Sequence, residues 1–358
     1  MIYIGAEHII SPLGKTIQDN FSKLANNESG IQPVAGVGRN METCYLGKIL
    51  DPSVAFTTLL IEGIQGAMGA IDDSILQSTK TILLISSTKG AIEYHLQDQF
   101  NRASADVVSN FGLVNQPIVV SNACVSGVLA INMAERFIRS GQYAHAIVVG
   151  CDLVTNFVLN GFQSLFAMSP QYCKPFDTNR TGINLGEGCG VVVVSKNASV
   201  FKQTPLLLLK GHSANDANHI SGPSRTGEGL FRTVRKTLDI NGIVPADIDF
   251  ISAHGTATIY NDEMEAIAFD RLQVSHCPIN SLKGYFGHTL GAAGVIETAV
   301  SMQMMRHNLL LKSLGYETVG TSKPLNIIQE NQFADLNLIL KTASGFGGGN
   351  ASLAICKG

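Results

Sequence analysis

Cys124 lies between a strand-like run and an apolar, helix-like segment, in the order Val120, Ser121, Asn122, Ala123, Cys124, Val125, Ser126, Gly127. A nucleophile on such a strand-to-helix elbow is held out from the backbone for attack. Free N–H groups at the helix start favour a thiolate and can donate to an oxyanion. The alternative is a buried structural cysteine, a common fate of this residue type. Cys44, Cys151, Cys173, Cys189, Cys277 and Cys356 lack that context and read as structural. Two histidines have comparable settings. His254 follows an apolar run and precedes Gly255; His288 follows Gly287, just ahead of a second apolar segment. Strand ends and helix starts are where α/β proteins collect their chemistry, and glycine lets backbone come close. His8, His95, His145, His212, His219, His276 and His307 have no such setting. A thiol and two imidazoles are also metal ligands, but no close-spaced ligand pair occurs and no metal is expected.

A third feature is the run Ser344, Gly345, Phe346, Gly347, Gly348, Gly349, Asn350 between two apolar stretches. No Lys-Ser/Thr pair follows it, so it is not a P-loop, and no helix-like sequence follows, which argues against a dinucleotide fingerprint. Phe346 among glycines is a candidate gate over a pocket; a tight hairpin with a packed phenylalanine is the alternative.

These residues need a body to position them. The chain has 358 residues, enough for about two domains or one large one. It is 45% hydrophobic and 15% charged, with 36 glycines and no tryptophan. That balance excludes disorder. A net charge of −3 makes no case for nucleic acid or a membrane surface. No signal-like start and no apolar run of about 18 residues occurs. Seven cysteines without a C-x-x-C spacing indicate neither a disulfide framework nor zinc. A reducing cytoplasm is the expected compartment. Apolar runs at residues 81–86, 118–121, 146–150, 191–195, 206–210 and 249–252 read as strands covered on both faces. Residues 336–341 and 351–356 read as a closing strand pair. Residues 125–139 and about 290–306 read as two helices, buried because they are apolar nearly all round. Strands alternating with helices give an α/β fold, and two buried helices suggest two similar halves.

In order along the chain, these motifs resemble those of the beta-ketoacyl-acyl-carrier-protein synthases, Cys-His-His condensing enzymes of the thiolase superfamily. The resemblance runs from about residue 81 to 354 and is weaker before that. Ala123, Cys124, Ser126 and Gly127 resemble the family's A-C-x-S-G elbow. Residues 173–177, 180–182 and 186–190 resemble its central signature. Residues 253–258, with Asp262 and Glu265 beyond, are similar to its H-G-T-x-T block. Lys283, Gly287, His288, residues 291–294 and Glu297 match its K-x-x-x-G-H-x-x-G-A-A-G block, and residues 345–350 its closing G-F-G-G-x-N. Five motifs in order are highly specific. The chain departs from the family in shortened segments before Cys124 and at residues 150–174. It also has Ser344 for a usual phenylalanine and Gly349 for a usual threonine. Shortened synthases of this kind resemble those of aryl-polyene and pigment-type clusters.

The resemblance implies a five-layered α-β-α-β-α thiolase-like fold with mixed sheets. Its halves would be residues 1–200, carrying the cysteine, and 201–358, carrying the histidines. It implies a decarboxylative Claisen condensation of an acyl group held on Cys124 with malonyl-acyl carrier protein, in fatty acid or polyketide/aryl-polyene-type biosynthesis. Cys124 would be the nucleophile. The N–H groups of Cys124 and Phe346 would form the oxyanion hole. His254 and His288, as neutral imidazoles, would stabilise the enolate. Lys283 and Glu297 would support them: a carboxylate on an apolar helix needs a partner, and Lys283 or a water near His288 is the candidate. Thr256 and Thr258 would bind the pantetheine amides. Phe162 is a candidate border of the acyl pocket, with ordinary core as the alternative. Asp177, Arg180 and Glu187 would form a charged cluster behind the centre. No bound cofactor is implied; the phosphopantetheine arm arrives on the acyl carrier protein. A homodimer is expected, with a heterodimer with a related ketosynthase-like subunit as the alternative. The competing functions are a catalytically dependent or non-catalytic partner subunit and a non-decarboxylative thiolase-like acyltransferase.

Overall fold

The computed structural model describes residues 1–51, 53–93, 96–216 and 222–358. Ten strands build the body. The first five are β1 (Tyr3–Ile10), β2 (Thr81–Ser86), β3 (Ile118–Val120), β4 (His145–Asp152) and β5 (Gly188–Ser195). The second five are β6 (Leu206–Leu208), β7 (Phe250–Ser252), β8 (Ile279–Asn280), β9 (Leu338–Ser344) and β10 (Gly349–Cys356).

The first five lie in the order β3-β2-β4-β5-β1 and the second five in the order β8-β7-β9-β10-β6. These are the same arrangement. In the first half β2 runs parallel to β3 and β4, while β5 is antiparallel to β4 and β1. In the second, β7 runs parallel to β8 and β9, while β10 is antiparallel to β9 and β6. The halves join where β1 pairs antiparallel with β6.

Six helices complete the layers: α1 (Phe56–Met68), α2 (Asn101–Phe111), α3 (Ser126–Arg139), α4 (Glu228–Asn241), α5 (Ile259–Arg271) and α6 (Ala293–His307). α1 and α2 cover the outer face of the first half, and α4 and α5 that of the second. α3 and α6 pack on each other and on strands of both halves. The result is the α-β-α-β-α sandwich.

The sequence dictates this through alternation. Successive strand side chains point to opposite faces. In β2, Ile82 and Leu84 join the central core while Leu83 and Ile85 join the outer one. β4 and β5 divide in the same way, with Val148 and Val192 inward and Val149 and Val191 outward. Phe250 and Ile339 of the second half also face inward, while Ile251 and Leu340 face outward. Both faces are covered, so the middles of β2, β4 and β5 are apolar on both sides. α6 is buried at every residue from Ala293 to Met305.

Boundaries differ from the sequence reading at functional points. The closing ladder extends to Ser344 paired with Asn350, so the connection is only residues 345–348. The segment from residue 290 starts as a tight turn, Leu290–Ala292, before α6 proper. Among the described residues no helix is long and apolar enough to cross a membrane.

α3 and α6 cross with their backbones in contact. A Cβ on Gly127 would lie 2.7 Å from the Val295 nitrogen and 2.9 Å from Gly294 Cα. One on Gly294 would lie 2.6 Å from the Val128 nitrogen. In an open helix, alanine for glycine stabilises by up to about 1 kcal/mol. At this crossing, overpacking costing about 1–3 kcal/mol outweighs that gain. Gly127→Ala is therefore expected to lower the urea midpoint; a raised midpoint would contradict the close crossing.

Candidate active site

The chain leaves β3 at Val120 and turns sharply before α3. Ala123 takes a φ of 45°, a left-handed value rare for a residue with a Cβ. Ser126 ties the turn, accepting from the Asn122 N–H at 2.7 Å and donating to the Ala123 carbonyl at 2.6 Å. Cys124 is thereby aimed at a cavity of about 490 Å³, which His254, His288, Thr256, Phe162 and Phe346 also line.

His254 stands just past β7. Its turn is pinned from α5, where Asp262 and Glu265, three residues apart, share a face. Glu265 accepts from the N–H groups of His254 at 2.8 Å and Gly255 at 2.6 Å; Asp262 accepts from that of Thr256 at 2.9 Å. Gly255 has a φ of 41°, and a Cβ there would collide with Ser281 at 2.5 Å. Thr258 caps α5. His288 follows Gly287, whose φ is 72°, and its own N–H donates to the Asn184 carbonyl at 2.7 Å.

Hydrogen bonds assign both tautomers. His288 Nδ1 accepts from the Leu290 N–H at 3.2 Å, so its proton sits on Nε2, 3.0 Å from Cys124 Sγ. His254 Nδ1 faces the Lys283 ammonium at 3.4 Å, and an ammonium can only donate. Its proton is therefore also on Nε2. The ligand atoms of Cys124, His254 and His288 lie within 4.8 Å of one another. Metal-binding histidines normally donate through the nitrogen that does not bind the metal; here both of those nitrogens accept. The trio is built as an array of donors.

Burial holds both imidazoles well below the usual histidine range, reinforced by Lys283 and Lys341. They are neutral at physiological pH. Burial also pushes the Cys124 thiol up to about 11, against the pull of Lys283 and of the N–H groups of Phe346 and Cys124. The expectation of a thiolate favoured by the helix start is corrected: desolvation is the larger effect, and the resting group is a thiol.

Lys283 donates to the His254 carbonyl at 2.6 Å and to Glu297 Oε1 at 2.7 Å, so it is the partner that Glu297 requires. A second lysine shares that carboxylate. Lys341 Nζ lies 2.7 Å from Glu297 Oε2, an ion pair rather than an aligned hydrogen bond. The sequence reading missed Lys341 because it took that residue for the end of a strand. A lysine inside a ladder covered on both faces is the signal that would have shown it.

Phe346 lies in the short connection after β9, with its N–H directed at Cys124 Sγ. Its ring stacks on Phe162, centroids 5.8 Å apart and planes at 22°. Thr256 and Thr258 line the same cavity, their hydroxyls 2.9 Å apart. Asp177, Arg180 and Glu187 do not form one charged cluster. Asp177 accepts from the N–H groups of Asn179, Glu317 and Thr318. Arg180 donates to the carbonyls of Asp177 and Gly320. Glu187 stands apart and accepts from the N–H groups of Ile49 and Val154. The remaining cysteines are free, and His95 and His219 lie outside the described residues.

Family models of the beta-ketoacyl synthase N-terminal domain and C-terminal domain match residues 65–199 and 207–317. The chain belongs to the beta-ketoacyl synthases. A 3-oxoacyl-[acyl-carrier-protein] synthase 2 of Rhizobium meliloti is 29% identical, over 86% of this chain and 81% of the relative. One of Coxiella burnetii is 25% identical, over 98% and 96%. Among solved structures, a ketosynthase in complex with its chain length factor from Xenorhabdus doucetiae is similar at a TM-score of 0.88. It is 25% identical and the match covers 100% of this chain and 98% of that one. This synthase is accordingly an acyltransferase with the thiolase-like fold.

The raised thiol gives a pH signature. A higher pKa postpones ionisation, so alkylation of Cys124 by iodoacetamide should keep accelerating past pH 9.0, the ordinary value. A rate that levels off below that pH contradicts the dominance of burial.

Proposed function

We propose that Cys124, His254 and His288 carry out the two halves of a decarboxylative Claisen condensation in this synthase. The observation that carries the reading is that both imidazoles, neutral and protonated on Nε2, share one cavity with the Cys124 sulfur. In the first half-reaction Sγ attacks an acyl thioester on the phosphopantetheine arm of a carrier protein. A bond forms from Sγ to the acyl carbon, the bond to the pantetheine sulfur breaks, and the cysteine proton leaves with that thiol. The N–H groups of Cys124 and Phe346 hold the oxyanion. Thr256 and Thr258 receive the arm.

In the second half-reaction the two Nε2–H groups donate to the carbonyl oxygen of a malonyl thioester. The carbon–carbon bond to its carboxylate breaks and carbon dioxide leaves. The electron pair becomes an enolate, with its charge on the oxygen the imidazoles hold. Its carbon attacks the acyl group on Cys124. The sulfur departs as a thiolate and takes a proton from water. No strong base is required, which suits imidazoles held far below the range where they would be cations.

The substrate carries its own phosphopantetheine, so no resident cofactor enters this reading. A carrier protein is the partner, a homodimer the assembly, the cytoplasm the compartment, and fatty acid or polyketide synthesis the setting, including the aryl-polyene type. A chain length factor partners the ketosynthase of the similar Xenorhabdus complex. That supports a second assembly, a heterodimer with a related subunit, in which this chain would be the catalytic member on the strength of its Cys124, His254 and His288.

Cys124→Ala should abolish acyl transfer, read as acyl mass on the protein after incubation with acyl-carrier protein. Replacing His254 or His288 by Ala should slow malonyl decarboxylation by roughly 10²–10³ while Cys124 still acylates; undiminished decarboxylation would remove the imidazoles from the mechanism. Phe346→Ala should change the relative rates for short and long acyl groups, and unchanged ratios would end the role of Phe346 as a gate.

A further inference from the structure

We propose that Lys341 is a positioning residue of the condensation site. Its ammonium is a built-in cation that locks Glu297 and the end of β7, and places a second positive charge behind the two imidazoles. The inference rests on the condensation reading above and extends it to a group that does not touch substrate.

Lys341 is 0% exposed on β9. Its ammonium stands in a cage of oxygens: the carbonyls of Ser252 at 3.2 Å and Ala253 at 3.3 Å, and Glu297 Oε2 at 2.7 Å. Ser252 and Ala253 are the two residues before His254. From the other side, Lys283 holds the His254 carbonyl and the second oxygen of Glu297. The strand end that carries His254 is thus gripped by both lysines, and both are anchored on one carboxylate of α6.

Packing does not account for this residue. Taking an ion out of water is costly, and one carboxylate was already matched by one lysine. Burial draws Lys341 below the usual lysine range while Glu297 pulls it back up; as a cation it leaves the Lys283–Glu297–Lys341 group with a net positive charge. Other ionisable groups face the site from each packed element. Glu265 and Asp262 come from α5, Cys124 from the elbow and Asp152 from β4. Burial holds Glu265 up to about 7, which weakens its counter-charge near neutrality, and Asp152 up to about 6, which leaves it mostly ionised there. Glu297 goes the other way, drawn down by the two lysines against its burial. A positive field there opposes formation of imidazolium and favours negative charge on an enolate oxygen held by Nε2–H groups. Lys341 contributes to the depression of both histidines.

The test is Lys341→Met, which keeps the bulk, removes the charge and leaves Lys283 and Glu297 matched. Nitrogen NMR of labelled histidine reads the imidazole titrations without any turnover. Their midpoints should rise relative to the unmodified protein. The acid limb of malonyl decarboxylation should move to higher pH. The turnover number should fall roughly tenfold, less than the 10²–10³ lost with a direct donor, at unchanged KM. Midpoints and acid limb that stay in place overturn the proposal. If Lys341→Met does not fold, Lys341→Ala offers the emptied oxygen cage to added ammonium ion. Ammonium should then restore decarboxylation, and failure to restore it overturns the proposal. Shifted midpoints in a protein whose unmodified form decarboxylates no malonyl thioester would instead overturn the condensation reading and leave the electrostatic role standing.

Discussion

The contact of α3 with α6 at Gly127 and Gly294 is the constraint from which the site hangs. Cys124 stands just before one helix and His288 just before the other. Two backbones that touch at glycine bring these helix starts together, and the sulfur and Nε2 meet at 3.0 Å. Side chains at the crossing would push the two helices apart and lengthen that contact. Asp152 braces the arrangement by accepting from the Gly291 N–H at 2.7 Å and the Ser87 hydroxyl at 2.8 Å. That carboxylate ties the ends of β2 and β4 to the turn that starts α6.

Around the crossing, the interior is more polar than a core needs to be. Asp262, Glu265, Lys283, Glu297 and Lys341 are all buried. Each carboxylate is occupied by backbone N–H groups or ammonium groups, and each lysine by carbonyls or Glu297. Burying charge without such partners is prohibitive. The same burial that makes these pairs necessary keeps the imidazoles neutral and the thiol protonated. The chemistry is therefore one of hydrogen-bond donation to developing charge, with decarboxylation supplying the carbon nucleophile.

Much of this was legible along the chain because local signals coincide with chemistry. The elbow at Cys124, the glycines beside His254 and His288, and the apolar helices that follow are short-range patterns, and the structure brings those residues together. That Glu297 needs a partner followed from the cost of a carboxylate on an apolar helix, with Lys283 one of two candidates, and Lys283 is the one it meets. Lys341 was not legible, because its partners come from β7 and α6 and its strand was read as ending there. The raised thiol was missed for a related reason. A helix start can be read from adjacent residues, whereas the depth that sets desolvation depends on elements far along the chain. Asp177, Arg180 and Glu187 looked like one cluster because they are close in sequence, yet Glu187 serves Ile49 and Val154, away from the loop the other two hold.

The position of β1 has a consequence for how this chain is made. β1 pairs with β5 along most of its length and, through Tyr3 and Ile4, with β6 on the other side, Tyr3 opposite both Ser195 and Leu207. The seam between the halves cannot close until both partners have left the ribosome. At 5–20 residues per second that wait is about 10–40 s. Throughout it, the earliest strand and the edges it will cover lack their partners, and contacts this distant in sequence are the slowest to form. Strand edges left unpaired for so long an interval are the kind of surface through which nascent chains aggregate.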